Sequence, residues 1–303
     1  MNVLIAGGTG FVGTALTRLL LQHGHKVALL SRRPSAPRAL PPVYHWDPQR
    51  GELDPNALTA VEGIVNLAGD SLADGRWTAE RKRRLLASRV DATTFLAQRA
   101  SGVRVLVNAS AIGIYGNRGD EVLSEESAPG TGFLADLCRA WEAAALRARD
   151  AGTRVVTARF GIILDAAGGA LQKLRPIFSL GLGGPLGSGR QWWSWVALPD
   201  VLQAVETALT QDGIQGPVNV VAPAPVRNRD FARALGRALQ RPALLPAPRT
   251  ALRLAVGEAA DEALLSSACV TPTKLLSSGY RFAFEDLDRA LASVLRPQKS
   301  IKL

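Results

Sequence analysis

Apolar residues in this chain fall into short unbroken runs separated by stretches with helical spacing. Val3 to Ala6 is the first run, and Val12, Leu16, Leu19 and Leu20 then recur on one helical face, so the opening residues predict strand, turn and helix. An unbroken run, in place of strict alternation, describes a strand buried on both faces, as in a parallel sheet covered by helices. Gly24 ends the first helix and Lys26 to Leu30 reads as the second strand, followed by a loop rich in proline (Pro34, Pro37, Pro41, Pro42) and an extended piece from Val43 to Trp46. Turns at Asp47-Pro48 and Asp54-Pro55 precede a predicted brief helix, Asn56 to Val61. Ile64 to Gly69 reads as a buried strand whose small C-terminal residues admit a close neighbour. Helix Thr78 to about Gln98, strand Val103 to Ala109, helix Leu134 to about Arg149 and strand Arg154 to Arg159 continue the alternation.

Beyond Leu164 that regularity lapses. Gly168 to Trp193 is too rich in glycine for an ordinary element and is expected to wrap a site or form a lid. Asp200 to Leu209 then reads as helix and Val218 to Val221 as strand, and Asn228 is expected to cap a helix carrying Phe231, Leu235 and Leu239. From about Pro242 a small mixed lobe follows, with a helical stretch from Thr250 to Leu265, a helical turn at Pro272 to Leu276, a strand at Tyr280 to Phe284 and a last helix with Leu287, Leu291 and Leu295. The expected fold is α/β, a Rossmann-type doubly wound parallel sheet with a smaller C-terminal substrate lobe. Residues 1–165 form the dinucleotide domain, with elements around 195–222 returning to it, and 166–303 form mostly the substrate lobe and small C-terminal domain.

The first turn, Gly7-Gly8-Thr9-Gly10-Phe11-Val12-Gly13, carries the chemistry. A Gly-rich turn between a buried strand and a helix is what a dinucleotide pyrophosphate requires, since backbone N–H groups and the positive end of the helix face the phosphates. Gly7 or Gly8 makes the tight turn, Gly10 gives the phosphates room, and Gly13 lets helix and strand pack closely. The second strand ends in Ser31-Arg32-Arg33. An acidic residue there would hold a ribose 2′-hydroxyl, whereas arginine forks onto a 2′-phosphate, so NADP(H) is the expected cofactor, with a solvated basic loop as the alternative.

At 303 residues and 47% hydrophobic content the chain builds a large core. Cys138 and Cys269 stand far apart and no secretory signal precedes the first strand, so a reducing cytoplasmic setting is expected. No apolar run is long enough to span a bilayer, and no membrane partner is expected. The net charge of +10 and the cluster Arg81-Lys82-Arg83-Arg84 invite a nucleic-acid reading. The cluster belongs to an amphipathic helix with its charges mainly toward solvent, and no stacking-aromatic motif accompanies it, so no nucleic-acid partner is expected. His23, His25 and His45 lack ligand spacing, and no metal is expected.

These landmarks resemble the extended short-chain dehydrogenases, and among them the atypical epimerase family proteins often called YfcH-like. Gly7 to Gly13, Ser31-Arg32, Asn66 to Gly69, Ser110 to Gly116, Phe133 to Ala135, Trp141-Glu142 and the Gly181 to Gln191 loop carry the resemblance. The resemblance implies NADP binding, with Gly10, Phe11 and Val12 at the pyrophosphate and Ser31, Arg32 and Arg33 at the 2′-phosphate. It also implies Leu67, Ala68 and Gly69 along the adenine and ribose side, Arg89 facing the cofactor channel, and Ser110 and Ile163 near the nicotinamide. Working members pair a Tyr with a Lys four residues on, because the Lys lowers the Tyr pKa. None of the three tyrosines here has that partner, and the motif positions fall on Leu134 and Cys138. The usual catalytic Ser falls on Ala111, and Trp195 to Asp200 lacks the His and one acid found in the group.

Ser110 stays open between a donor at the site and a structural hydroxyl. Tyr115, Lys173 and Gln191 are candidates to meet a polar or anionic substrate, with packing the alternative for Tyr115. The function expected is an NADP(H)-binding oxidoreductase or epimerase-like protein acting on a small polar molecule, as monomer or homodimer. The alternative is a catalytically weak regulatory protein, a class whose relatives the resemblance links to cell division.

Overall fold

A computed structural model describes residues 1–33 and 41–295. Pro34 and Pro37 of the proline-rich loop lie outside the described residues. Eight strands form the main sheet: β1 (Asn2–Ala6), β2 (Lys26–Ser31), β3 (Val43–Asp47), β4 (Glu52–Leu53), β5 (Gly63–Asn66), β6 (Val105–Ala111), β7 (Arg154–Phe160) and β8 (Gly216–Val220). Their spatial order is β8-β7-β6-β5-β1-β2-β3-β4, parallel throughout except for β3 with β4. The order reverses direction between β1 and β5, where Leu4 pairs with Ile64 and Ile5 with Val65. Such a reversal leaves a crevice at the carboxyl ends of the two strands.

Alternation along the strands explains why both faces need cover. Val3 and Ile5 pack with Leu16 and Leu20 of α1 (Phe11–Gln22), while Leu4 and Ile64 pack with Phe95 and Leu96 of α2 (Ala79–Ala97). Helix α3 (Phe133–Leu146) lies beside α2. A separate core gathers Trp193, Trp195, Phe231, Leu235 and Leu291 around α4 (Gly169–Ser179), with α5 (Leu198–Thr210) returning to the sheet and α6 (Asn228–Leu239) staying in the second core. Among the described residues no helix is long and apolar enough to cross a membrane.

Several local expectations change. Residues 56–61 form successive turns, Thr59 N–H to Asn56 O and Val61 N–H to Leu58 O, and Ala60 at φ +56° leaves the helical range, so no helix propagates. The Gly-rich segment contains a helix, α4, started by Gly169 at φ +63°. Asn228 is the first residue of α6 and not its cap; its Oδ1 accepts the Leu186 N–H at 2.7 Å and so ties the helix to the Gly-rich loop. The stretch 250–265 breaks at Gly257 (φ +67°), ending α7 (Arg249–Val256) before a separate wide turn at Ala260–Leu264. Tyr280 to Phe284 form no strand. Their partner is buried Asp200, whose carboxylate accepts the N–H groups of Ala283 (2.6 Å) and Phe284 (3.1 Å) and whose carbonyl accepts the Tyr280 hydroxyl (2.9 Å).

Candidate dinucleotide site and adjoining cavity

The crevice at the β1–β5 reversal opens into a cleft of about 860 Å³. Gly7 and Gly10 form its floor, Ser31, Arg32 and Arg33 its β2 side, and Leu67, Ala68 and Gly69 its β5 side. The glycines separate by cause. Gly7 takes φ +77°, and a Cβ there would lie 2.7 Å from the Leu67 carbonyl group. At Gly13 a Cβ would lie 2.2 Å from Gly7 O, so this glycine closes the turn itself and not the helix–strand contact expected for it. Gly10 differs. Its backbone, φ −79° and ψ 178°, suits any residue, and a Cβ would meet only Gly7 O at 3.3 Å. The fold alone gives little reason for glycine there; a ligand lying against the turn does. Residues and space therefore fit a dinucleotide.

Phe11 and Val12 are not on the cleft wall: the Phe11 ring lies under Gly168, whose Cβ would stand 2.3 Å from it, and Val12 packs on the core. Their share in holding an anion is confined to the backbone at the α1 N-terminus. Arg89, expected to face the channel, is buried behind the wall. Its guanidinium donates to Asp70 O (2.9 Å) and Leu85 O (3.2 Å), stacks over Trp141 and fills the space a Cβ on Gly69 would need. A polar stripe that periodicity could have found was missed: Arg84, Ser88 and Asp91, at i, i+4 and i+7 on α2, line the cleft beside Asp70. Also missed was the buried amide that shapes the β5 tip. Asn66 donates to Thr93 Oγ1 (2.8 Å) and Asn108 Oδ1 (2.7 Å), while its own Oδ1 accepts the Ala68 N–H (3.2 Å).

At the ends of β6 and β7 lies a closed ionic network. Ser110 Oγ donates to Glu142 Oε1 (2.7 Å), and Glu142 takes Arg159 through two bonds of 2.8 Å. Arg159 Nη1 donates to the Tyr115 hydroxyl (2.9 Å), which donates in turn to Asn219 Oδ1 (2.7 Å). Burial alone would lower the Arg159 guanidinium, but the Glu142 carboxylate outweighs it and raises the group above the usual arginine value. Tyr115 is 0% exposed, and burial pushes its hydroxyl above the ordinary tyrosine range despite Arg159. It lies inside the network and on the wall of neither cavity. Ser110 is buried in the same network, its hydroxyl spent on Glu142.

A second cavity, about 460 Å³, lies between Gly113, Thr131 and Leu134 on one side and Gln191, Arg249, Asp261 and Glu262 on the other. Gln191 lines it, and its amide donates to Leu186 O (3.1 Å) and Leu264 O (3.2 Å). Arg253 and Arg249 beside Asp261 hold its carboxyl below the usual carboxylate range. Glu262 spans the α3 N-terminus, accepting the N–H groups of Phe133 (2.9 Å) and Leu134 (2.8 Å). Lys173 lines neither cavity; its ammonium bonds Ala73 O and pairs with Asp74 at 3.4 Å. Ile163 is half-buried, its carbonyl against Gly169 beside Phe11.

Of the two positions where a Tyr–Lys pair would stand, Leu134 faces the second cavity and Cys138 is buried. Burial, aided by Glu142, pushes the Cys138 thiol up to about 12, and burial raises Cys269 too. Neither thiol is expected to react with a disulfide reagent at pH 8 in the native protein, and both should titrate in denaturant. Stoichiometric labelling under native conditions would contradict the burial of Cys138.

A doubly wound parallel sheet with a Gly-rich β1–α1 turn beneath a crevice at its reversal point defines a dinucleotide-binding Rossmann protein. The chain belongs to the NAD dependent epimerase/dehydratase family, which it matches over residues 3–221, and residues 247–294 match a domain of unknown function, DUF1731. It is 46% identical over 291 residues to an epimerase family protein of Mycobacterium tuberculosis, covering 95% of this chain and 96% of that one. The human epimerase family protein SDR39U1, solved with NADPH, is 33% identical and superimposes with a TM-score of 0.89, covering 97% of this chain and 99% of that one. A nucleoside-diphosphate sugar epimerase from Corynebacterium glutamicum is 34% identical, with a TM-score of 0.80 over 97% of this chain and 58% of that one. The chain is thus a nicotinamide-dinucleotide-binding member of the SDR39U1-like group.

Proposed function

We propose that the dinucleotide is NADP(H) and that the protein acts on a small polar molecule held in the second cavity, without a lysine-activated tyrosine. The observation that carries the cofactor reading is Arg32 and Arg33 on the cleft at the end of β2, where an NAD site would present a carboxylate. Their guanidinium groups neutralise and orient a 2′-phosphate, and Gly10 leaves the pyrophosphate access to backbone N–H groups. When bound, the nicotinamide supplies hydride transfer. The chain's own residues bind and orient; Gln191, Asn117 and Ser188 offer polar groups to a substrate in the second cavity, which Leu134 bounds on the α3 side.

Arg32→Ala is expected to weaken NADPH binding about 10-fold or more, the weight of one charge-assisted contact of ~1.5–3 kcal/mol, with little change for NADH. Fluorescence titration of both cofactors checks this; equal native affinities for NADPH and NADH would overturn the reading.

A second reading, a regulatory NADP(H)-binding protein without turnover, is favoured by the same replacement of Tyr and Lys by Leu134 and Cys138 and by the locked Tyr115. General acid catalysis contributes about 10²- to 10⁴-fold, so its loss makes turnover slow. The two readings separate when NADPH or NADP⁺ is incubated with sugar nucleotides, ketones and aldehydes, followed by absorbance and, for redox-neutral epimerisation, by NMR. Turnover lost in Gln191→Ala supports the enzyme; no turnover of any compound supports the regulator.

A further inference from the structure

Five large apolar side chains stand on the surface around the end of α4, and the local backbone puts them there. The helix closes in a Schellman turn: Gly181 takes φ +74°, its N–H reaches Phe178 O (2.9 Å), and the Leu182 N–H reaches Ile177 O (3.1 Å). The turn brings Leu182 back toward Ile177, both of them exposed, and leaves Leu180 74% exposed. The chain that follows α6 runs alongside. Leu245 N–H donates to Gly183 O (3.2 Å), Ala247 N–H donates to Pro185 O (2.9 Å), and the Pro242 ring faces Gly181, so Leu244, 80% exposed, and Leu245 join the same ridge. Side chains this bare project from the surface, and neither cavity includes one of them.

The two segments that build the ridge bring only positive charge. Residues 166–199 and 231–257 contain no Asp or Glu. Arg175 shares a face of α4 with Ser179, one turn on, and Arg241 Nε donates to Ser179 O (3.0 Å), so both cations stand next to Leu180. A contiguous apolar patch rimmed by charge marks an interaction surface. A second copy of the chain would set arginine against arginine across the contact. A partner protein would have to offer a pocket shaped to each leucine tip, whereas a lipid layer is fluid and accepts protruding apolar side chains as they stand, with anionic headgroups meeting the arginines. We propose that the Ile177–Leu182 turn and the Leu244–Leu245 loop dock the protein on an anionic membrane surface, the leucines entering the acyl boundary and Arg175 and Arg241 lying among the phosphates. Docking from one side needs no spanning helix, so the lack of a long apolar run does not weigh against it.

Co-sedimentation of the full chain with vesicles of equal parts phosphatidylcholine and phosphatidylserine tests the proposal. Binding is expected, and it should fall about 10-fold or more on vesicles of phosphatidylcholine alone or in the Arg175→Gln, Arg241→Gln double variant, the weight of two basic side chains at such a surface. Leu180→Ser with Leu244→Ser is expected to lower it about 100-fold, and Leu244→Ser alone about 10-fold, as the leucines lose their burial. Because all four side chains are exposed and lie outside the dinucleotide cleft, NADPH affinity and the thermal midpoint should stay at wild-type values in every variant. Absence of wild-type binding to the mixed vesicles would overturn the proposal. So would binding undiminished by the leucine substitutions, which would assign it to the net charge of +10 alone. A dimer in analytical ultracentrifugation that the same leucine substitutions disperse would give the ridge to a second copy and overturn it as well.

Discussion

Glu142→Ala is expected to lower the free energy of unfolding by about 3–5 kcal/mol, the cost of leaving a buried charge without its partner. The Arg159 side chain is 7% exposed and the Glu142 side chain 11%, so water cannot take the carboxylate's place. Three hydrogen bonds disappear with it, two from Arg159 and one from Ser110, and the guanidinium then pulls on Tyr115 and Asn219, which join the end of β6 to β8. Urea denaturation measures the effect. Replacing Arg159 by Met in the same chain should recover a large part of the loss, because the orphaned charge goes too. A loss below about 1 kcal/mol for Glu142→Ala alone would place the pair in the class of screened surface bridges. Such a result would contradict its burial.

Gly10→Val is expected to abolish measurable NADPH binding, a loss of at least about 100-fold, while leaving the thermal midpoint within a few degrees of wild type. The contrast with its neighbours makes the result specific. Valine tolerates φ −79° and ψ 178°, and its Cβ meets only Gly7 O at 3.3 Å; the rest of the side chain projects where the cleft is open. Gly13→Ala behaves differently, since its Cβ would lie 2.2 Å from Gly7 O and must deform the turn, so stability and binding fall together. Calorimetric titration with NADPH beside thermal unfolding separates the two. Retained binding in Gly10→Val would mean that no pyrophosphate approaches this turn.

The amino-acid sequence by itself determined the sheet, the Gly-rich turn and the identity of the cleft. Each of these rests on local information: unbroken apolar runs such as Val3 to Ala6 and Val27 to Leu30, helical spacing in α1 and α2, and glycines clustered between the first strand and the first helix. The same local rules could have exposed Arg84, Ser88 and Asp91 as a polar stripe. They could not place Arg89 behind Gly69, Lys173 beside Asp74 or Tyr115 inside a saturated network, because each is decided by partners distant along the chain: Asp70 for Arg89, Ala73 and Asp74 for Lys173, Arg159 and Asn219 for Tyr115. Residues 280–284 make the point for the backbone as well. Their extended N–H groups look for a strand and find instead the carboxylate of Asp200, some eighty residues earlier. Periodicity reports which face of an element is buried; which buried polar group meets which partner is settled only when the packed chain removes water and every donor must be satisfied.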